Sequence, residues 1–161
     1  PMGMGSRSHD GEGLPVQETH LIDNGRLTSW LLNSSSARQL GMEPNGFSAL
    51  GFGDPPGVTT SNLYLKAGDK TPGELVKGAG KGLLVTDMFG PSINPNNGDY
   101  SVGVSGFWFE AGEIAYPVSE VTIAGDLPSM FARLIPASDL EFRGTRDAPS
   151  ILIEDMSLAG S

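Results

Sequence analysis

Residues 57–112 read GVTTSNLYLKAGDKTPGELVKGAGKGLLVTDMFGPSINPNNGDYSVGVSGFWFEAG, and their order decides the fold. Val58, Thr60, Asn62 and Tyr64 alternate with Thr59, Ser61, Leu63 and Leu65, the period-two signature of a strand that ends at Ala67-Gly68-Asp69. Thr71-Pro72-Gly73-Glu74 then starts a helix. Thr71 serves as N-cap, Pro72 takes the first helical position, and Glu74 completes a capping box. Leu83-Leu84-Val85 reads as a buried-type strand, and Gly90 to Gly98 as a loop of Pro, Asn and Gly. Tyr100–Glu110 is a long strand that breaks at Gly103 and Gly106 before Phe107-Trp108-Phe109.

Upstream, Gln17–Asp23 alternates, Asn24-Gly25 is the dipeptide that type I′ turns require, and Arg26–Leu32 returns as the second arm of a hairpin. Ser34-Ser35-Ser36 caps a short helix, Ala37–Leu40, that Gly41 ends. Met42 to Gly57 is a Gly- and Pro-rich loop with Phe47, Leu50 and Phe52 as apolar points, a composition suited to a lid or a contact loop. Downstream, Glu113–Tyr116 is a strand that Pro117 limits to an edge or bulge, and Glu120–Ala124 alternates again. Asp126 caps a helix over Leu127–Ile135 with the apolar stripe Met130, Phe131, Leu134 and Ile135, stopped by Pro136. Leu140–Arg143 and Ser150–Leu158 close the chain as strands.

These elements predict a mainly β fold, α+β at the margin: an antiparallel β sandwich or barrel with about three short helices. Residues 1–16 read as an extended lead-in from a missing upstream domain, because the chain opens on Pro1 and Pro1–Gly13 has no core-forming pattern. Residues 17–161 read as a single β-rich domain. Gly-rich edges and long strands such as Tyr100–Glu110 would let an extended peptide or a partner strand add on.

With 10 basic and 19 acidic residues the net charge is −9. Lys66, Lys70, Lys77 and Lys81 alternate with Asp69 and Glu74, a solvated face and not a phosphate track. An acidic chain without a basic stripe argues against direct nucleic-acid binding. No apolar run approaches the roughly 18 residues of a membrane span, and no signal-peptide pattern is present.

The chemistry available is narrow. The absence of cysteine removes disulfides, thiolate zinc sites and cysteine nucleophiles together. His9 and His20 are the two histidines; His9 with Glu12 makes an HxxE pattern on a solvated terminus, and His20 sits in the hairpin. No HExxH, HExxxH or GxSxG motif occurs. Gly78-Ala79-Gly80-Lys81-Gly82 lacks the spacing of a phosphate loop and reads as a helix C-cap. Asp10 with Glu12, and Glu154 with Asp155, read as structural or solvent-facing carboxylates.

Five pieces of the chain carry a resemblance: Gly3-Met4-Gly5-Ser6-Arg7, Asp10-Gly11-Glu12-Gly13, Ser36-Ala37-Arg38 before Leu40-Gly41, Ser61-Asn62-Leu63-Tyr64-Leu65, and Ser105-Gly106-Phe107-Trp108. In this order they resemble the C-terminal domain of the TldD/PmbA family, once called modulators of DNA gyrase, and within it the PmbA (TldE)-like branch. In the catalytic TldD branch an HExxxH helix, which would lie upstream of residue 1, and a cysteine near the C terminus hold zinc. That cysteine would fall in Arg143-Gly144-Thr145-Arg146-Asp147-Ala148-Pro149, where this chain has no thiol.

The resemblance therefore implies a non-catalytic subunit of a zinc metallopeptidase complex acting on unfolded peptides in the cytoplasm, in peptide maturation or antitoxin degradation. Its partner would be a TldD-like protein or a second copy, with zinc expected only in the TldD-like partner and no cofactor in this chain. Candidate peptide- or partner-binding residues are Ser61, Asn62 and Tyr64 on the first central strand and Ser105, Gly106, Phe107 and Trp108 on the long one; no catalytic or metal residue is assigned. The alternatives are a stand-alone β-rich interaction module using the Met42–Gly57 loop, and an enzyme acting through carboxylates or serines.

Overall fold

The computed structural model describes residues 3–160. The elements run β1 (Ile22–Asp23), β2 (Arg26–Leu27), α1 (Ser34–Leu40), β3 (Ser48–Ala49), β4 (Gly57–Val58), β5 (Leu63–Tyr64), α2 (Pro72–Ala79), β6 (Gly82–Ile93), β7 (Asp99–Glu110), β8 (Glu113–Asp126), α3 (Leu127–Ala132), β9 (Leu134–Pro136), β10 (Arg146–Asp147), β11 (Ile151–Ile153) and β12 (Ser157–Ala159). The fold is β-rich with three short helices. Two compact units form: residues up to Tyr64 with Glu141–Asp147, and Leu65–Leu140 with the residues from Ala148 onward.

In the first unit, Asn24 (φ 48°) and Gly25 (φ 75°) both take the left-handed region, as a type I′ turn demands. The ladder covers only Ile22↔Leu27 and Asp23↔Arg26, much less than the expected arms. Below it, the Thr28 N–H donates to the Leu21 carbonyl (2.8 Å) and the Thr28 hydroxyl to that of His20 (2.6 Å). The Trp30 carbonyl is taken by the Asn45 amide at 2.9 Å.

Helix α1 begins under Asn33, and the serine triplet falls inside the helix. The Asn33 Oδ1 accepts the Ser36 N–H (2.8 Å), and the Ser36 Oγ accepts the Asn33 N–H (3.1 Å). Gly41 closes the helix in the left-handed region (φ 65°), as expected. The alternation over residues 58–65 yields only β4, antiparallel to β3, and β5, parallel to β10. Between them the chain is claimed by other partners: the Thr59 carbonyl accepts Arg7 Nη2 (3.2 Å), and Asn62 binds the N-terminal arm.

The second unit is built on a four-stranded antiparallel sheet in the order β12-β8-β7-β6. The expected barrel is not formed: the sheet is open, with β6 at one edge and β12 at the other. Closure would require every strand to pair on both sides. Strand β6 continues through Ile93, so the loop expected from Gly90 shrinks to the tight turn Asn94–Gly98, closed by the Gly98 N–H on the Asn94 carbonyl (2.8 Å).

Gly103 and Gly106 do not break β7. Gly103 lies beneath the Phe89 ring, and Gly106 faces the Leu84 carbonyl. Pro117 does not end β8, because β12 pairs only with Thr122–Ala124. At Pro117 the outer edge of β8 is open and no N–H is needed there. The register slips twice: between Val104↔Val121 and Gly106↔Val118, where Glu120 takes φ 58°, and between Trp108↔Tyr116 and Phe109↔Ile114, just before Pro117.

Helix α2 is built as the sequence predicts: Thr71 Oγ1 accepts the Glu74 N–H (3.3 Å), and the Glu74 carboxylate accepts the Thr71 N–H (2.7 Å). The Thr71 N–H and then the Thr71 hydroxyl, which also donates to that carboxylate (2.7 Å), hold the Glu74 carboxyl below its ordinary pKa. Asp126 caps α3 through the Ser129 N–H (3.0 Å), but the helix stops at Ala132. Leu134 and Ile135 instead form β9 against Ile153 and Leu152 of β11. A residue before proline resists the helical region, which places Ile135 in a strand. Of the expected stripe, Met130 is buried and Phe131 exposed. Leu140–Arg143 is irregular, and the closing segment divides into β11 and β12 around Asp155 (φ 54°). Val102, Val104, Phe109, Leu75, Met130 and Ala137 are the buried apolar residues of this unit.

Gly78 in α2 has open space where a Cβ would stand. Gly78→Ala is expected to raise stability by about 0.5–1 kcal/mol. Urea denaturation reads this directly, and an unchanged or lowered midpoint counts against it.

Candidate functional site

The candidate residues fall in two places. Ser61, Asn62 and Tyr64 belong to the first unit, and Ser105, Gly106, Phe107 and Trp108 to the second.

Asn62 is engaged by the chain's own N-terminal arm. Its Oδ1 accepts the Gly5 N–H (2.9 Å) and its Nδ2 donates to Ser6 Oγ (2.9 Å). Ser6 Oγ also accepts the Gly3 N–H (2.8 Å). Gly5 lies against the Ser61 carbonyl and Gly3 against the Asn62 amide, so side chains at either glycine would collide there. The arm and the Ser61-Asn62 turn are thus a matched pair. Tyr64 stacks edge-on against Phe142, with centroids 5.3 Å apart and both rings partly exposed.

Asp10 is the buried polar hub of this unit. One carboxylate oxygen accepts the N–H groups of Glu12 and Leu14 (both 2.9 Å), and the other accepts that of the fully buried Ser48 (3.0 Å). Burial pushes the Asp10 carboxyl up. The Ser48, Leu14 and Glu12 N–H groups, helped by the Arg7 charge, outweigh it and hold the pKa below the ordinary value. Glu12 Oε2 accepts the Ser34 N–H and hydroxyl (2.9 and 3.0 Å) at the start of α1. The segment read as a solvated terminus therefore organises two elements. The Asp-x-Glu spacing was visible, but nothing local revealed that the N–H donors of Ser48 and Ser34 lie 38 and 22 residues away.

In the second unit, β7 is hydrogen-bonded to β6 on one side and β8 on the other. Strand addition on Tyr100–Glu110, expected from the sequence, is thereby closed off. The free main-chain edges are those of β6 on one side and, on the other, of β12 and the part of β8 that β12 does not cover. Ser105, Phe107 and Trp108 can offer only side chains. Phe107 lies between Leu84 and Pro117 on neighbouring strands, and both Phe107 and Leu84 are partly exposed. Trp108 stands between Leu83 and Tyr116, its indole N–H donating to Glu110 Oε1 (2.9 Å). Ser105 is registered with Asp87, and its carbonyl accepts the Thr86 hydroxyl (3.4 Å).

Among the described residues no three His, Cys, Asp or Glu side chains converge, and His9 and His20 are exposed. The turn that begins at Arg143 is organised by Asp147, whose Oδ1 accepts the N–H groups of Arg143 (3.1 Å) and Gly144 (3.0 Å). The Arg143 guanidinium pairs with Glu141, which raises its pKa further. Asp155, read as a structural or solvent-facing carboxylate, accepts Arg133 Nη1 (3.1 Å) on the surface. These donors do not fit a three-ligand zinc site. No helix among the described residues is long and apolar enough to cross a membrane.

Comparison with known proteins gives a consistent answer. The chain is 37% identical over 159 residues to Metalloprotease PmbA of Escherichia coli O157:H7, covering 98% of this chain and 33% of that protein. It is 39% identical over 159 residues to the Metalloprotease PmbA homolog of Haemophilus influenzae, covering 98% and 34%. The chain thus spans about a third of the length of the curated relatives it matches. Among solved structures, a candidate modulator of DNA gyrase from Thermotoga maritima MSB8 superposes with a TM-score of 0.86 at 32% identity, over 98% of this chain and 36% of that one. TldE from Thermococcus kodakarensis shares the fold, with a TM-score of 0.83 at 23% identity over 96% and 36%. Residues 1–160 match the family described as the PmbA/TldA metallopeptidase C-terminal domain, and the chain belongs to that family.

Proposed function

We propose that this chain is the C-terminal domain of a PmbA/TldE-like, non-catalytic subunit of a cytoplasmic zinc metallopeptidase complex. In this reading it pairs with a TldD-like protein, or with a second copy, and helps hold unfolded peptides that the partner's zinc centre cleaves. One observation carries the proposal: the turn starting at Arg143, where the catalytic branch would place its third zinc ligand, spends its Asp147 carboxylate on two backbone N–H groups and has no thiol. A hydrolytic zinc site needs three protein ligands and an open water position, and this chain does not supply its share. The open β6 edge and the Leu84–Phe107–Pro117 row support a role in holding extended chain with little regard to sequence.

The test is reconstitution. The full-length protein and its TldD-like partner are co-expressed and separated by size exclusion, and hydrolysis of an unfolded peptide is followed with and without chelator. Co-elution, with activity that needs both chains and is lost to chelator, is expected. Equal activity from the partner alone without co-elution would end the subunit reading, as would chelator-resistant hydrolysis by this protein alone. A second reading, the stand-alone interaction module, draws on Phe52, which stands fully exposed in the loop between β3 and β4. Capture of a different protein that Phe52→Ser abolishes, without any TldD-like partner, would favour it.

A further inference from the structure

The chain contains three Asn-Gly dipeptides, at Asn24-Gly25, Asn45-Gly46 and Asn97-Gly98. Asn-Gly is the pair most open to self-modification. Glycine has no Cβ to shield its amide nitrogen, which can reach the preceding side chain. The structure treats the three pairs differently.

Asn45 is clamped at both ends of its amide: Oδ1 accepts the Leu32 N–H (3.1 Å), and Nδ2 donates to the Trp30 carbonyl (2.9 Å) and Ser29 Oγ (3.3 Å). Gly46 is buried, with the Pro15 carbonyl against the face where a Cβ would stand. Asn97 is exposed, yet its Oδ1 accepts the Asp99 N–H (3.1 Å) and its Nδ2 donates to Asp99 Oδ2 (2.6 Å). The nucleophile of that pair, the Gly98 nitrogen, donates its proton to the Asn94 carbonyl at 2.8 Å.

Asn24 has none of this. It sits exposed at the hairpin tip. Its Nδ2 makes one surface bond, to Asp23 Oδ1 (3.1 Å), and its Oδ1 and the Gly25 N–H have no protein partner among the described residues. The ladder beneath is two residue pairs long, continued by the Thr28 bonds to the Leu21 and His20 carbonyls, and so short a hairpin opens readily at its tip. Opening lets the Asn24 ψ angle swing until the Gly25 nitrogen faces Cγ.

We propose that Asn24 is a site of spontaneous deamidation, with Asn45 and Asn97 protected by their hydrogen bonds. In the step, the Gly25 nitrogen loses its proton and bonds to Asn24 Cγ. The Cγ–Nδ2 bond breaks, and ammonia leaves with that proton, giving a five-membered succinimide. Water then opens the ring at either carbonyl, leaving aspartate or isoaspartate. Isoaspartate adds a methylene to the main chain at a turn whose two central residues must match in register, and either product places a carboxylate beside Asp23. The pairing Asp23↔Arg26 is then lost in the isoaspartate form.

Peptide mapping by mass spectrometry after incubation of the intact protein at mildly alkaline pH tests this. Asn24 is expected to convert faster than Asn45 and Asn97 by on the order of tenfold or more, since two or three hydrogen bonds hold each of the others. In concentrated denaturant the three rates are expected to converge. Gly25→Ala is expected to slow Asn24 alone. Equal or slower conversion at Asn24 in the folded protein would overturn the proposal. So would an order of rates that denaturant leaves unchanged, since the fold would then not be its cause.

Discussion

Asp10→Asn is expected to destabilise the protein by about 2–4 kcal/mol, read as a lowered urea midpoint. The carboxylate accepts three backbone N–H groups and lies nearly out of solvent. An asparagine keeps one oxygen, but turns an NH₂ toward a second donor. The donor left without a partner is the N–H of Ser48 if the original geometry persists, and Ser48 is wholly buried. An unpaired buried donor carries its full desolvation cost. Glu12→Gln is the milder comparison, since its two bonds to Ser34 are exposed; a loss of about 0.5–1 kcal/mol is expected.

The same group shapes the acid limb. Its folded-state pKa lies below the unfolded value, so the stabilisation is complete above the ordinary carboxylate range near pH 4. It is lost as pH falls through the lowered folded-state pKa. Glu74, Asp126 and Asp139 shift in the same direction, Asp126 and Asp139 chiefly through the hydroxyls of Ser129 and Ser150. The difference between wild type and Asp10→Asn therefore isolates Asp10: it should be wide at neutral pH and narrow in acid. An Asp10→Asn midpoint within about 0.5 kcal/mol of wild type, the range of an ordinary surface substitution, would refute the hub.

Gly106→Ala is expected to cost about 3 kcal/mol or more, the upper end of overpacking. Gly106 is buried in β7, and a methyl there overlaps the Leu84 carbonyl and crowds the backbone at Val85. Neither group can retreat without parting β6 from β7, where Val85 is registered with Gly106. Val104, the fully buried core residue two positions earlier, would be disturbed with it. The check is thermal or urea unfolding alongside Gly78→Ala, which adds the same methyl into open space and should move stability the other way. If Gly106→Ala kept a wild-type midpoint, close strand approach would not be why glycine stands there. Normal stability with impaired peptide handling in the reconstituted complex would return Gly106 to a direct binding role.

Several features were legible in the sequence because their physics is local. Thr71 and Glu74 cap α2 across three residues, Asp126 reaches Ser129 across three, and Gly41 closes α1 immediately after its last turn. The Asn24-Gly25 turn follows from the freedom of these two residues to adopt positive φ. The absence of thiols, the scattered charge and the family resemblance also needed no coordinates. What such patterns could not convey is who else competes for each backbone group. Asn33 displaced the serines as the α1 cap while its Nδ2 donated to the Pro56 carbonyl (2.7 Å), a partner 23 residues away. Ile151–Ile153 drew Leu134 and Ile135 out of the expected helix, and the N-terminal arm occupied Asn62. Periodicity records which residues favour a strand, but not which strands will find partners on both sides. The sequence alone therefore determined the capped helices, the tight turns and the β-rich class. Only the tertiary structure decided that the sheet stays open, that β7 is central and that Asp10 is buried, because each depends on groups brought together from distant parts of the chain.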